Sequence, residues 1–243
     1  VTNPEKFRFI QFEVEHTLST MKVGADAVLL GALAEVENTR NILDIGTGCG
    51  IIALMLAQRS NAQIDAIDID ENSVREAERN FAKSPWNDRL KVIPTSLADF
   101  SKSCQQQYDL VVSNPPFFQS DLLPDSGKLR IAKHATTLNF DTFIKDVKKI
   151  MADFGRLTVI LPVKEATFFT KKCLSENLFL TSAFQIIPRA DKAPNRLILN
   201  YSKIKTDSPL NSSLTVRDET GQYSQGYKNL TSPFHPPQYF INH

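Results

Sequence analysis

Asn114, Pro115, Pro116 and Phe117 stand directly behind an apolar run, Tyr108 to Ser113, and together they have the makings of a grip for a planar amino group. Two successive prolines donate no N–H and hold φ near −65°, so they fix the direction of the carbonyls around them. The side-chain oxygen of Asn114 and the backbone carbonyl of Pro115 can then accept from one NH2 group. An exocyclic amine on a nucleobase, or a glutamine amide, is a poor nucleophile because its lone pair is delocalised. Two acceptors draw it out of conjugation and aim it. Phe117 offers a face on which a base can stack, at roughly 1 to 3 kcal/mol. A proline-rich turn with Phe117 and Phe118 in the core would use the same letters, so the neighbours decide.

Upstream, Asn41 to Gly50 reads N-I-L-D-I-G-T-G-C-G and runs into the apolar stretch Ile51 to Ala57. This predicts a buried strand, a glycine turn and a buried helix, the first unit of an open parallel sheet. The spacing is Gly-x-Gly-x-Gly, not the Gly-x-Gly-x-x-Gly of dinucleotide sites. S-adenosylmethionine is therefore favoured over NAD. Gln63 to Asp68 reads as a second strand ending in an acid, the position from which a carboxylate takes both ribose hydroxyls. Asp70 suits the N-cap of the helix that follows, with Val74, Ala77 and Phe81 on one face. Glycine turn, acid and Asn-Pro-Pro-Phe in this order indicate a class I methyltransferase.

The elements that must position these residues follow the same pattern. Strands are expected at Leu90 to Ile93, Tyr108 to Ser113, Arg156 to Leu161, Phe179 to Ile187 and Arg196 to Lys203, with helices at Asp141 to Met151 and Val163 to Glu176. Alternating strands and helices imply an α/β, Rossmann-like fold: a mostly parallel seven-stranded sheet covered on both faces, closed by an antiparallel edge hairpin. One domain is expected over 1–243, with a cap element at 1–38, a core at 39–205 and a tail at 206–243.

Net charge is +1 and the sequence pI about 7.8, mild for a protein that holds nucleic acid. Local clusters carry more information than the total. Lys128, Arg130 and Lys133 follow the proline turn, and Arg189, Lys192 and Arg196 flank a polar loop; both sets suit phosphate contact at a site rim. Lys145, Lys148 and Lys149 read as a solvated helix face. Cys49, Cys104 and Cys173 are scattered without Cys-x-x-Cys spacing, and the four histidines are dispersed, so neither a disulfide frame nor a metal site is indicated. No Gly-x-Ser-x-Gly occurs. With no apolar stretch of about 20 residues and no signal-peptide pattern, a soluble cytoplasmic protein is expected.

Phe7 to Glu15, Met21 to Gly31, Leu43 to Gly48, Ile52 to Arg59 and Ser84-Pro85-Trp86 closely resemble the bacterial tRNA1(Val) (adenine37-N6)-methyltransferases. The likeness extends over nearly the whole chain, including Ala132-Lys133-His134, Thr136-Thr137-Leu138, Tyr223-Ser224 and Tyr227, Leu230 and Thr231. It implies that Lys22, Gly24 and Asp26 close over the methionine end of S-adenosylmethionine. Asp44, Gly46, Gly48 and Gly50 would form the main cradle, Asp68 would hold the ribose, and Ser96 and Leu97 would meet the cofactor adenine. Asn114 to Phe117 would hold the target adenine of a tRNA anticodon loop, Asn114 also meeting the cofactor at its sulfonium methyl, with His134 beside the RNA-facing basic residues. Two positions depart from the family pattern. Ala25 stands where a threonine is usual, and Ser96 where an acid is expected, with Asp99 as a substitute. Phe117 replaces the more frequent tyrosine and keeps the stacking face.

The same proline turn serves guanine-N2 methyltransferases of ribosomal RNA and glutamine-N5 methyltransferases of release factors. Met21 to Gly31 favours the tRNA enzymes, and the helical N-terminal domain typical of the release-factor enzymes is not expected. A catalytically idle RNA-binding scaffold would not need the intact glycine turn, Asp68 and Asn114. Oligomeric state is not legible.

Overall fold

The computed structural model describes residues 6–18, 23–115 and 139–242. Within them, strand β1 (Lys6–Arg8) and β2 (Glu13–Glu15) pair antiparallel as a small separate ribbon. Helix α1 (Ala25–Leu33) leads into β3 (Asn41–Ile45), α2 (Ile51–Arg59), β4 (Gln63–Asp68), α3 (Glu71–Ala82), β5 (Leu90–Pro94), α4 (Leu97–Ser103) and β6 (Tyr108–Ser113). After 116–138 come α5 (Phe140–Ile150), β7 (Met151–Pro162), α6 (Val163–Ser175), β8 (Phe179–Arg189), β9 (Arg196–Ser202), β10 (Leu210–Arg217), α7 (Gln225–Thr231) and α8 (Tyr239–Asn242).

The main sheet has the order β10-β8-β9-β7-β6-β3-β4-β5. Among the described strands every neighbouring pair is parallel except β7 with β9 and β9 with β8, so β9 runs against the others. The class I methyltransferase architecture expected from the sequence is present. It has eight strands where seven were expected, because Leu210–Arg217, expected to lie in a tail, adds as a parallel edge strand on β8. The β8–β9 hairpin therefore lies inside the sheet edge. Leu210–Arg217 is weakly apolar, with only Leu214 buried; an edge strand covered on one face needs few apolar residues, and short-range pattern does not reveal it.

Strand alternation sends successive residues to opposite faces. Ile42, Leu110, Val112 and Ile160 face one core, shared with Leu29 and Leu30 of α1, Leu54 to Leu56 of α2 and Phe81 of α3. Leu43, Ile45, Val111, Leu157 and Val159 face a second core under α4, α5 and α6, filled by Phe100, Phe143, Val147 and Phe169. Both faces are covered, as a parallel sheet requires. The tail folds back on the N-terminal ribbon: Ile10 N–H donates to Phe234 O at 2.8 Å, and Phe9 stacks on both Phe12 and His235. No helix among the described residues is long and apolar enough to cross a membrane.

Candidate active site

The order of the strands places the chemistry. From β3 the chain crosses to β4 on one side, whereas β6 lies on the other, so the gap between the ends of β3 and β6 is a topological switch point, where open α/β sheets bind ligands. Ile45 pairs with Ser113 on β6 and with Ile67 on β4. The next residues on the three strands, Asn114, Gly46 and Asp68, therefore share one row along the carboxyl edge. The Ser113 hydroxyl donates to Ile45 O at 2.9 Å and ties the β6 end to the β3 end.

Gly46, Gly48 and Gly50 all have positive φ, at 71°, 55° and 85°. Their roles divide. A Cβ built on Gly46 or Gly48 meets no atom within 4 Å, so both line open space against which a ligand can lie on bare backbone. A Cβ on Gly50 would come within 2.5 Å of the Phe81 ring. Gly50 thus caps α2 in the left-handed region and lets α3 pack close. The turn is pinned from below, as the amides of Gly46 and Thr47 donate to Ile67 O at 2.9 and 3.1 Å.

Asp44 is fully buried, and Thr47 Oγ1 donates to its Oδ2 at 2.7 Å. Among the described residues no donor meets Oδ1 at hydrogen-bonding geometry. Burial pushes its pKa up to about 7; the Thr47 hydroxyl and the Ala53 amide offset part of this, and the neighbouring Asp68 charge adds to it. A buried carboxylate with an uncommitted oxygen beside an open glycine backbone suits a cationic ligand such as the methionine end of a sulfonium cofactor.

Asp68 Oδ2 accepts from Gly48 N–H at 2.8 Å, and Oδ1 from Asp70 N–H at 2.9 Å. Each oxygen keeps a further lone pair for a hydroxyl. The same contacts lock the glycine turn to the end of β4. Asp70 caps α3, accepting from Ser73 N–H at 2.9 Å. Thr95 N–H donates to Asp68 O at 3.0 Å, which brings the β5–α4 turn beside the row. There Ser96 is the N-cap of α4: its hydroxyl accepts from Asp99 N–H at 3.1 Å and donates to Asp99 Oδ2 at 2.8 Å, while Lys102 holds Oδ1 at 2.9 Å. Asp99, a sequence candidate for the cofactor adenine, is thus engaged with Ser96 and Lys102, which hold its carboxyl below its ordinary value. Leu97 packs on the second core.

Gly24 caps α1 without a side-chain bond, and Ala25 opens the helix. Asp26 in its first turn accepts from Arg196 Nε at 2.8 Å. Arg196 pairs with Pro162 across β7 and β9, so this ion pair stands on the same carboxyl edge as Asn114. Sequence assigned the two residues to different ligands, cofactor and RNA, and the structure joins them to each other. Arg189 is closed on Asp191, whose carboxyl it pulls down to about 2, and Lys192 lies 3.6 Å from the same carboxylate. Lys22, Pro116, Phe117, Lys128, Arg130, Lys133 and His134 lie outside the described residues.

Sequence reasoning passed over Glu76 and Asn80, both only 1% exposed on α3. They flank Ala77 and Phe81 in helical register, so their burial was detectable only as a polar stripe bordering an apolar one.

A parallel sheet with one reversed strand, a glycine turn at its switch point and an Asn-Pro end on the adjoining strand define a class I methyltransferase. Residues 19–164 match the methyltransferase small domain family. A tRNA1(Val) (adenine(37)-N6)-methyltransferase from Parabacteroides distasonis is 38% identical over 229 residues, covering 94% of this chain and 97% of its own. One from Trichodesmium erythraeum is 38% identical over 233 residues, covering 95% and 97%. Among solved structures, a predicted O-methyltransferase from Agrobacterium tumefaciens superimposes with a TM-score of 0.67 at 17% identity, over 86% of this chain and 96% of its own. The chain belongs to the tRNA1(Val) (adenine(37)-N6)-methyltransferase family. The family implies S-adenosylmethionine as the methyl donor, and the open backbone at Gly46 and Gly48 and the uncommitted oxygen of buried Asp44 fit it.

Proposed function

We propose that this protein methylates N6 of adenine 37, beside the anticodon of a valine tRNA. The observation that supports the reading is the single row formed by Asn114, Gly46 and Asp68 across the switch point, as an amine grip beside a cofactor cradle would require. The full-length likeness to enzymes named for that base supports the choice of substrate.

S-adenosylmethionine, when bound, supplies an electrophilic methyl on a sulfonium. The residues of the chain then have to bring one nitrogen to it in line. Asn114 Oδ1 and the Pro115 carbonyl accept the two N–H bonds of the adenine amine and turn its lone pair toward the donor, and Phe117 stacks on the ring. Asp68 takes the ribose hydroxyls, and Asp44 faces the cationic end. Positioning and electrostatics carry the rate; no general base is required, since the proton can leave to water after transfer. The base must leave its stack, which costs little in a loop whose bases are already partly splayed.

RNA contact by Arg189, Lys192 and Arg196, with Lys128, Arg130, Lys133 and His134, belongs to the same reading. Phosphates would have to replace Asp191 and Asp26 as partners. The Arg189 pair is nearly half-exposed, and such pairs are worth only about 0 to 1 kcal/mol, so the exchange is inexpensive.

The test is incubation of the purified protein with labelled S-adenosylmethionine and unmodified total tRNA, followed by nucleoside mass spectrometry and sequencing of the labelled species. N6-methyladenosine at position 37 of a valine tRNA is the expected product. Label in ribosomal RNA or a release factor, with tRNA unmodified, would overturn the substrate and leave the fold and the Asn114 chemistry standing.

A further inference from the structure

Helix α3 carries a buried polar stripe that the reaction does not account for. Asn80 uses its side-chain amide on both sides. Oδ1 accepts from Glu15 N–H at 2.9 Å, and Nδ2 donates to Glu15 O at 2.9 Å and to Cys49 O at 2.8 Å. One bifunctional amide thus pairs with the backbone of β2 as another strand would, while its second N–H holds the carbonyl between Gly48 and Gly50. One turn earlier, Glu76 Oε1 accepts from Thr17 N–H at 2.5 Å, Leu18 N–H at 2.8 Å and Thr17 Oγ1 at 3.3 Å.

Among the described residues, the ribbon β1–β2 shares no hydrogen-bonded ladder with the main sheet. Its backbone at residues 15–18 is instead received by these two α3 side chains, with aromatic packing of Phe9 and Phe12 behind it. Buried amides and carboxylates are costly without partners, so undocking residues 15–18 would strip partners from Asn80 and Glu76. The glycine turn is held from the same helix at two adjacent points, Phe81 against Gly50 and Asn80 on Cys49 O. Asn80 therefore bonds to both the N-terminal strand and the glycine turn.

We propose that Asn80 is a positioning residue that couples cofactor affinity to the docking of residues 13–18, with Glu76 fixing the far end of that segment. The inference rests on S-adenosylmethionine occupying the Gly46 to Gly50 turn. Coupling of this kind is reciprocal: whatever factor docking adds to cofactor affinity, the cofactor adds to docking.

The experiment combines calorimetric binding of S-adenosylhomocysteine with hydrogen exchange at the Glu15, Thr17 and Leu18 amides, on the wild-type chain, Asn80→Ala, Glu76→Ala and Glu76→Gln. In wild type the ligand should slow exchange at these three amides, although they lie outside the cradle. Asn80→Ala should bind about 10-fold or more weakly, for two to three lost buried hydrogen bonds, and should lose the ligand-induced protection. Glu76→Ala removes the acceptor of the Thr17 and Leu18 amides and should also weaken binding, whereas Glu76→Gln keeps an acceptor oxygen and should restore it. The Glu76 pair carries the test if Asn80→Ala does not fold. Variants that bind like wild type while melting lower would make Asn80 and Glu76 purely structural and overturn the proposal. Failure of wild type itself to bind the ligand would overturn the cofactor reading and the coupling together.

Discussion

The two halves of the carboxyl edge are built differently. Around β3 and β4 the placed groups are tied down close by: Asp68 to the amides of Gly48 and Asp70, the glycine turn to Ile67 O, and Asp44 to the hydroxyl of Thr47. Around β6, β7 and β9 the described groups are Asn114 and Pro115 at a strand end and, beyond them, charges satisfied by other side chains, Arg196 by Asp26 and Arg189 by Asp191. A cofactor of fixed shape rewards a preorganised cradle, because binding then costs little ordering. A large polyanion rewards charges that can change partners. Substitutions in the first half should therefore alter cofactor affinity and stability, and those in the second should alter turnover and RNA dependence.

The largest effect expected is at Asn114. Asn114→Ala removes an acceptor made for the reacting amine and should lower turnover by about 100- to 1,000-fold at saturating donor. Next comes Asp68→Ala, which should weaken cofactor binding by about 10- to 100-fold, the worth of hydrogen bonds to a charged group, without abolishing the maximal rate. Unchanged affinity, measured by calorimetry, would reduce Asp68 to a fastener of the glycine turn.

Asp44 offers a pH test of the same contrast. Its pKa is raised from an ordinary 3.8 to about 7 in the folded protein, so the native state holds this proton more tightly than the unfolded chain. The cofactor-free protein should lose stability as pH rises from near 4 to about 7, at up to about 1.4 kcal/mol per unit, and the loss from this group should level off above that. Asp44→Asn should remove this slope, which thermal melts across that pH range would reveal. A slope that persists in the variant would assign it to other groups. The smallest effect belongs to Arg196→Ala. Freed from its partner, Asp26 should change stability by no more than about 1 kcal/mol, while KM for tRNA rises; an unchanged KM would remove Arg196 from the RNA surface.

What the sequence revealed and what it hid divide along physical lines. Buried strands such as Asn41–Ile45 and Tyr108–Ser113 are short, mostly apolar runs beside turn residues, and the glycine turn, Asp68 and the Asn114 end could be located because each is local in the chain. The partners of Asp26, Glu76 and Asn80 lie 170, 59 and 65 residues away, and no periodicity encodes such distances. Leu210–Arg217 escaped for a related reason, since an edge strand borrows its definition from the neighbour it pairs with. Gly50 shows a subtler limit: its place in the Gly-x-Gly-x-Gly spacing suggested contact with the cofactor, and only the Phe81 ring lying against it shows the packing demand.

The most direct test of the division between the two halves is the affinity of Asn114→Ala for S-adenosylhomocysteine, measured by calorimetry on the variant that has lost turnover. An affinity within about threefold of wild type, under 1 kcal/mol, is the result predicted for a residue that grips the substrate amine. A loss of binding as large as that of Asp68→Ala would place Asn114 in the cofactor cradle and contradict the separation.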